Sequence, residues 1–287
     1  MDINFLSSHN NLEPENSVLY LVGTPIGNLN DISFRALNIL KNVSLIACED
    51  TRQTKKLMHK FQITNHLISF NQHNSFKKIP IIIDGLKSGK SIALVSDAGL
   101  PSICDPGENL VKEVKNNGLN VICIPGPCAA LTALVSSGLP SSKFIFYGFL
   151  PKKKKERGQI LLEIRNSEKT SILFESPHRL KKLLIELKEN LEGEREIQIY
   201  RELTKKFEEN IGSNLDMILN FFEDKEVLGE ITLVISGKNK PKNLEFDKNK
   251  LKNELNDLIK AGLTLSAASK YLAKKNNLTK KILYNLH

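Results

Sequence analysis

Short apolar blocks alternate with polar stretches of helical spacing along the first half of the chain. Residues 18–22, 43–47, 91–95 and 120–124 are nearly unbroken apolar runs, the pattern of strands buried on both faces. Between them, 31–40, with Asp31 or Ser33 as its cap, and 107–116 carry apolar residues three and four apart, as amphipathic helices do. Strands that alternate with helices predict a mainly parallel sheet covered on both faces. The second half restarts the pattern, with strands expected at 144–147, 170–174, 196–200 and 231–235 and helices at 180–190 and 214–222. The expected architecture is α/β: two α/β domains, 18–125 and 126–237, divided at Pro125-Gly126-Pro127, with an extension over 1–17 in front. A linker over 238–250 has the composition of one, and 251–287 reads as three short helices with a turn at Gly262.

Composition agrees with this picture. A chain of 287 residues fits two domains of about 100–200 residues each. A long charge-free stretch, 118–142, contains Pro125-Gly126-Pro127 and reads as strand, turn and helix, not as a membrane span. Residues 1–17 carry acids and Asn where a signal peptide needs a basic head and an apolar stretch, so the expected location is the cytoplasm. Cys48, Cys104, Cys123 and Cys128 include no CxxC pair, so neither a disulfide framework nor a zinc site is expected. His59, His66 and His73 are seven apart, but no Cys or carboxylate completes a ligand set, and no metal is expected.

Charge changes the picture more. Of the net +9, residues 238–287 hold +8, from twelve Lys against four acids. The body is near neutral apart from Lys152-Lys153-Lys154-Lys155-Glu156-Arg157, read as a basic loop. Clustered positive charge attracts a polyanion by counterion release, and a solvated Lys-rich surface explains it equally well.

Ligands of open parallel sheets bind beyond the carboxyl ends of the strands. There the chain places Gly23-Thr-Pro-Ile-Gly-Asn-Leu29, Glu49-Asp-Thr-Arg52, Ser96-Asp-Ala-Gly-Leu-Pro-Ser102 running on to Asp105-Pro-Gly107, and Pro125-Gly-Pro-Cys-Ala129. Gly and Ala admit a ligand to the backbone, and Pro fixes loop shape. One such loop only makes a turn; four at equivalent strand ends predict a ligand cleft. The first loop is not a dinucleotide fingerprint. Gly85-Leu-Lys-Ser-Gly-Lys-Ser91 is one residue short of a P-loop and precedes its strand, so it reads as a helix end and turn. Glu175-Ser-Pro-His-Arg179 and Arg201-Glu-Leu-Thr-Lys205 put mixed charge at two further strand ends, for substrate or for a salt-bridge network.

These loops, with Gly229-Glu230, occur together and in order, and over about 18–237 the chain resembles the tetrapyrrole-methylase superfamily, within it the branch that methylates small-subunit ribosomal RNA. The tail from Leu251 to Leu286 is similar to the helix-turn-helix-like segment that ends many of these proteins. It departs from the usual pattern at Leu100, where Thr is common, and at Cys104 and Cys128, where Ser is common. The resemblance implies S-adenosyl-L-methionine in a cleft between the two domains, a homodimer, and 2′-O-methylation of a cytidine ribose in small-subunit (16S) ribosomal RNA. Expected cofactor residues are Pro25, Ser96, Asp97, Ala98, Gly99, Pro101, Ser102, Pro125, Gly126, Pro127 and Ala129, with Thr232 and Leu233 added by the resemblance. Unranked catalytic candidates are Asp50, Arg52, Glu175, Arg179, Arg201, Lys205 and Glu208, because a Lys with lowered pKa or a carboxylate could take the hydroxyl proton. The basic segments then become RNA contacts: Lys152, Lys153, Lys154, Lys155, Arg157, Lys270, Lys274, Lys275, Lys280 and Lys281. The alternatives are a precorrin-type tetrapyrrole methyltransferase, for which a basic tail has no use, and a non-catalytic RNA-binding factor, for which the cleft has none.

Overall fold

The computed structural model describes residues 13–191, 195–238, 248–276 and 278–286. The chain divides at Lys238 into two compact units. The first holds two five-stranded sheets. Strands β1 (Val18–Val22), β2 (Leu45–Cys48), β3 (Leu67–Ser69), β4 (Ile92–Val95) and β5 (Asn120–Ile124) pair in parallel in the order β3-β2-β4-β1-β5. Val18, Tyr20 and Val22 face a core closed by α1 (Phe34–Asn42) and α2 (Thr51–Phe61). Leu19 faces the opposite core, under α3 (Ser75–Lys87) and α4 (Glu108–Asn116). Burial on both faces is why these strands read as apolar runs without alternation.

At the carboxyl end of this sheet the chain leaves through Pro125-Gly126-Pro127 into α5 (Ala129–Ser136). Here two backbones touch. A Cβ on Gly126 would lie 2.8 Å from the Gly23 Cα, and one on Gly23 would lie 2.7 Å from the Gly126 Cα.

The second sheet contains β6 (Phe144–Phe149), β7 (Thr170–Glu175), β8 (Ile197–Arg201), β9 (Glu209–Ser213) and β10 (Ile231–Ile235), in the order β6-β7-β10-β8-β9. The expected repeat of the first pattern fails here. Only β6 and β7 run parallel; β8 and β9 form an antiparallel pair, and β10 inserts antiparallel between β7 and β8. One face is closed by α6 (Lys154–Asn166), α7 (Pro177–Asn190) and α8 (Leu215–Phe222). The other receives Ala130, Ala133 and Leu134 of α5, together with Ile26 from the loop after β1, against Ile172, Tyr200 and Val234. Burial of such side chains is worth roughly 1.5–3 kcal/mol for each large aliphatic residue, so α5 and Ile26 tie the two sheets into one body.

Several elements lie outside the expected pattern. β3 has three residues, too few to show a period. α3 contains Pro80, which reads as a breaker in sequence. Lys154–Asn166 is helix, so most of the expected basic loop is the first turn of α6. Residues 13–17 of the extension are tied down: Arg35 donates to both Glu13 carboxylate oxygens (2.7 and 2.5 Å), and the Glu15 N–H donates to the Tyr20 hydroxyl (2.8 Å). Residues 1–12 and most of the expected linker, 239–247, lie outside the described residues.

The second unit is three helices, α9 (Lys248–Lys260), α10 (Leu265–Lys275) and α11 (Lys280–Tyr284). Leu251, Leu255, Ala268, Leu272, Ala273 and Leu283 form its core. Gly262, at φ +98°, turns the chain, and the Thr264 hydroxyl caps α10 by accepting from the Ala267 N–H (3.2 Å).

The contact between Gly23 and Gly126 makes a sharp expectation. Gly126→Ala should lower stability by about 1–3 kcal/mol through overpacking. Gly158→Ala, in α6 with no atom within 4 Å of the new Cβ, should raise it by about 0.5–1 kcal/mol. Urea unfolding of the two variants checks both signs.

Candidate active site

The loops at the carboxyl end of the first sheet are joined by backbone. The Thr24 N–H donates to the Gly99 carbonyl (2.9 Å), and the Gly99 N–H donates back to the Thr24 carbonyl (3.1 Å). The Thr24 hydroxyl donates to the carbonyls of Ser96 and Gly99 (3.4 and 3.3 Å), and the Ser96 hydroxyl donates to the Ala98 carbonyl (3.2 Å). From the second sheet, the loop after β8 meets the loop after β1, where the Asn28 N–H donates to the Thr204 hydroxyl (3.1 Å). Ser102, Cys104, Glu202 and Thr204 have φ of +72°, +65°, +54° and +64°. Side chains in that region cost on the order of 1 kcal/mol or more each, and such strain gathers at functional sites.

Between these loops lies a cleft of about 340 Å³. One wall is Ile26, residues 98–100 and 103–105, Cys128 and Ala129; the other is Phe149, residues 174–177, Leu203 and residues 229–232. Apolar side chains dominate, and Phe149 and Phe174 stand with ring centres 5.7 Å apart. Asp105 and Glu230 are acids in this lining that the candidate sets omit. A second cavity, of about 180 Å³, lies on the other side of the same loops, against Thr24, Pro25, Leu29, Gln53, Thr54, Lys56, Leu57, Val95, Ser96 and Asp97.

The expected cofactor residues therefore divide. Ala98, Gly99, Ala129 and Thr232 line the large cleft. Pro25, Ser96 and Asp97 line the second cavity. Pro101, Ser102, Pro125, Gly126 and Pro127 line neither, and Gly126 instead makes room for Gly23. Leu233 is a correction: it is fully buried in the core under α6 and α7, because successive residues of a strand face opposite ways and Thr232 takes the cleft side. Ile26 and Leu203 lie within loops singled out in sequence but were not chosen as site residues, and Ile103, Phe149 and Phe174 were not chosen either; apolar residues of this kind are indistinguishable from core in sequence.

Most catalytic candidates are committed to structure. Asp50 caps α2, accepting from the Arg52 N–H (2.8 Å), and pairs with the exposed Arg52 guanidinium (2.6 Å). Those hydrogen bonds from Arg52 hold its carboxyl down at about 2, which makes it a weak base. Glu175 has no exposed side-chain surface. It lies between Arg157 (3.5 Å) and Arg179 (3.3 Å) and accepts from the Ser176 N–H (2.8 Å). Arg179 also donates to the Leu150 carbonyl (2.9 Å). Arg201 pairs with Glu209 (2.9 Å), and Glu208 accepts from the Thr204 N–H (2.9 Å). Lys205 donates to Glu202 and Glu230, each at 2.8 Å. Burial opposes its charge, but the two carboxylates outweigh it and raise its pKa, so Lys205 is an ammonium and not the lowered lysine a base requires. Burial pushes the Asp105 carboxyl up, with a smaller push from Asp97, against a hydrogen bond from Ser96.

The expected RNA contacts need one correction. Lys152, Lys153, Lys154 and Lys155 are exposed, but Arg157 is only 6% exposed and pairs with Glu186 and Glu175. In the second unit Lys270, Lys274, Lys275, Lys280 and Lys281 are exposed on α10 and α11. Lys275 pairs there with Glu254 (3.1 Å).

Comparison with known proteins places this geometry. Residues 18–218 match the family model described as Tetrapyrrole (Corrin/Porphyrin) Methylases. The chain is 44% identical to ribosomal RNA small subunit methyltransferase I of Bacillus subtilis, over 94% of each chain. It is 48% identical to the protein of that name from Thermotoga maritima, over 77% of this chain and 98% of the relative. Among solved structures, the cobalamin biosynthetic enzyme cobalt precorrin-4 methyltransferase superposes with a TM-score of 0.57 at 16% identity, over 76% of this chain and 94% of its own. Uroporphyrin-III-C-methyltransferase from Thermus thermophilus does so with a TM-score of 0.53 at 17% identity, over 77% and 94%. At such identities these structures speak for the fold alone.

Asp105 carries a test of the cleft's electrostatics. Its raised pKa means that the folded chain holds this proton more tightly than the unfolded chain. Its contribution to stability is therefore full below the unfolded value of about 3.9 and is lost as pH rises through the folded value. Asp105→Asn has no such loss. Urea unfolding should find the variant more stable than the wild type at neutral pH, with the difference shrinking towards pH 4; a variant less stable at neutral pH would contradict the burial account.

Proposed function

The chain belongs to the tetrapyrrole (corrin/porphyrin) methylase family, and we propose that it methylates small-subunit ribosomal RNA with S-adenosyl-L-methionine, at the 2′-hydroxyl of a cytidine. The observation that carries the reading is the 340 Å³ cleft whose walls come from both sheets, in a chain 44% identical over nearly its whole length to a ribosomal RNA methyltransferase.

The lining fits the donor. A flat adenosine needs apolar walls with backbone edges, and finds Phe149, Phe174 and Leu203 opposite the loop at Ala98 and Gly99. A cationic centre needs negative charge, and finds Asp105 and Glu230. When bound, the donor supplies a methyl group on a positively charged sulfur. The chain must hold the acceptor oxygen in line with it, at a reacting distance of about 3–3.5 Å. Loops joined by reciprocal backbone hydrogen bonds and a contact between two glycines suit that task, because they leave little freedom to lose on binding. Asp105 and Glu230, as carboxylates of this lining, are our candidates to take the hydroxyl proton. Lys205 bridges Glu202 and Glu230, so it positions one of them.

RNA contact falls to the exposed Lys152–Lys155 segment at the start of α6 and to the five exposed lysines of α10 and α11, where charge alone provides sequence-independent attraction. Leu131 and Val135, 47% and 75% exposed on α5, offer an apolar stripe for the homodimer. No helix among the described residues is long and apolar enough to cross a membrane, and a cytoplasmic location accords with a ribosomal substrate.

Incubation with methyl-labelled S-adenosylmethionine and small subunits that lack native methylation tests the reading. A 2′-O-methyl group removes the nucleophile that alkaline cleavage uses, so label should survive alkali in a dinucleotide. Label in single nucleotides would mean base methylation; transfer only when a precorrin is supplied in place of the subunits would move the substrate to the other branch of the family.

A further inference from the structure

We propose that the 180 Å³ cavity beside the cofactor cleft takes the base of the methylated nucleotide, and that Asp97 and Gln53 read it as cytosine. The inference rests on the RNA-methylation reading and adds the subsite that selects the nucleotide.

Thr24 and Pro25 line this cavity while Ile26 lines the cleft; Ser96 and Asp97 line the cavity while Ala98 and Gly99 line the cleft. The two spaces are thus separated only by consecutive residues of two loops, which the reciprocal hydrogen bonds of Thr24 and Gly99 hold together. With the base in the cavity, its ribose would turn over the rim of this wall into the cleft, because transfer needs the hydroxyl oxygen in direct approach to the methyl group.

Size comes next. At about 180 Å³ the cavity is about half the volume of the cleft, a size that suits a single small ring better than a tetrapyrrole.

Chemistry then narrows the ligand. Asp97 Oδ1 accepts from the Asp50 N–H (3.0 Å), and its other oxygen has no hydrogen-bond partner among the described residues. Gln53 Oε1 accepts from Lys56 Nζ (2.9 Å), which leaves the Gln53 amide N–H₂ as a donor beside it. A carboxylate oxygen accepts from the exocyclic amino group of cytosine, and an amide donor serves its ring nitrogen or carbonyl. Uracil carries a carbonyl oxygen in place of that amino group, so two acceptors would face each other. Enzymes that act on a base hold it by such contacts to its pairing edge, and the same contacts can fix a base whose ribose is the target.

The test begins by mapping the labelled nucleotide with the wild-type protein. Wild type, Asp97→Asn and Gln53→Leu are then given small subunits with cytidine or uridine at that position. Methyl-transfer efficiency is measured beside the dissociation constant for S-adenosylmethionine. Asp97→Asn keeps an oxygen for the Asp50 N–H and turns the other acceptor into a donor. The wild type should prefer cytidine by about 5- to 150-fold, the range one good base contact provides. Asp97→Asn should shift that ratio towards uridine by about tenfold, and Gln53→Leu should lower transfer to cytidine by a factor within the same range. Donor affinity should stay within about twofold in both variants. An unchanged cytidine-to-uridine ratio in folded Asp97→Asn overturns the base pocket while leaving RNA methylation standing. Weakened donor binding in both variants also overturns it and returns these residues to the cofactor. If the wild type labels no RNA, both readings fall.

Discussion

Gly23 and Gly126 touch backbone to backbone, and the arrangement of the cleft follows from that contact. It brings the ends of β1 and β5 together, so that the chain can turn through Pro125-Gly126-Pro127 into α5 and place that helix on the second sheet. The same closeness lets Thr24 and Gly99 exchange backbone hydrogen bonds, which adds the loop after β4. Three loops then form one wall built mainly of main chain. Ile26 crosses from that wall into the core of the second sheet. A side chain at Gly23 or Gly126 would push these parts apart before any ligand was met.

Charge is distributed by the same economy of parts. Behind the second wall, Glu175 is held by Arg157 and Arg179, with Glu186 completing the set around Arg157. A buried pair of this kind contributes little net stability, yet losing one partner is costly, so it fixes geometry. It anchors the end of β7 and the first turn of α7, where Ser176 and Pro177 meet the cleft. In front of the wall, Asp105 and Glu230 remain in the lining, and Lys205 holds Glu230 in place. The clustered lysines, by contrast, are exposed, at the start of α6 and on the helices of the second unit.

The first sheet was legible because β1 and β4 are five- and four-residue apolar runs buried on both faces, and the edge strand β5 keeps a nearly unbroken apolar run although Cys123 is exposed. The side of the sheet that carries the cleft was legible because loops of Gly, Pro and small residues fall at equivalent strand ends, three of which contribute to its wall. The pleat of β10 could also have separated Thr232 from Leu233 in sequence, since adjacent strand residues face opposite ways. Other features depend on partners distant in the chain. Arg157 looks like any residue of a basic run until Glu186 and Glu175 come to it from α7 and β7. The antiparallel insertion of β10 between β7 and β8 leaves no trace in local hydrophobic pattern, because both pairings bury the same side chains. The division of Ser96 and Asp97 from Ala98 and Gly99 is set by how the loop after β1 lies against them, which no spacing reveals.

The central claim is that the cleft between the two sheets holds the methyl donor. A crystal structure of the full chain with S-adenosylhomocysteine tests it most directly. The account requires electron density for the ligand between Ala98 and Ala129 on one side and Phe174 and Thr232 on the other, with Asp105 and Glu230 within reach of its charged groups. Density in the smaller cavity against Gln53 and Asp97, or away from both spaces, would contradict it.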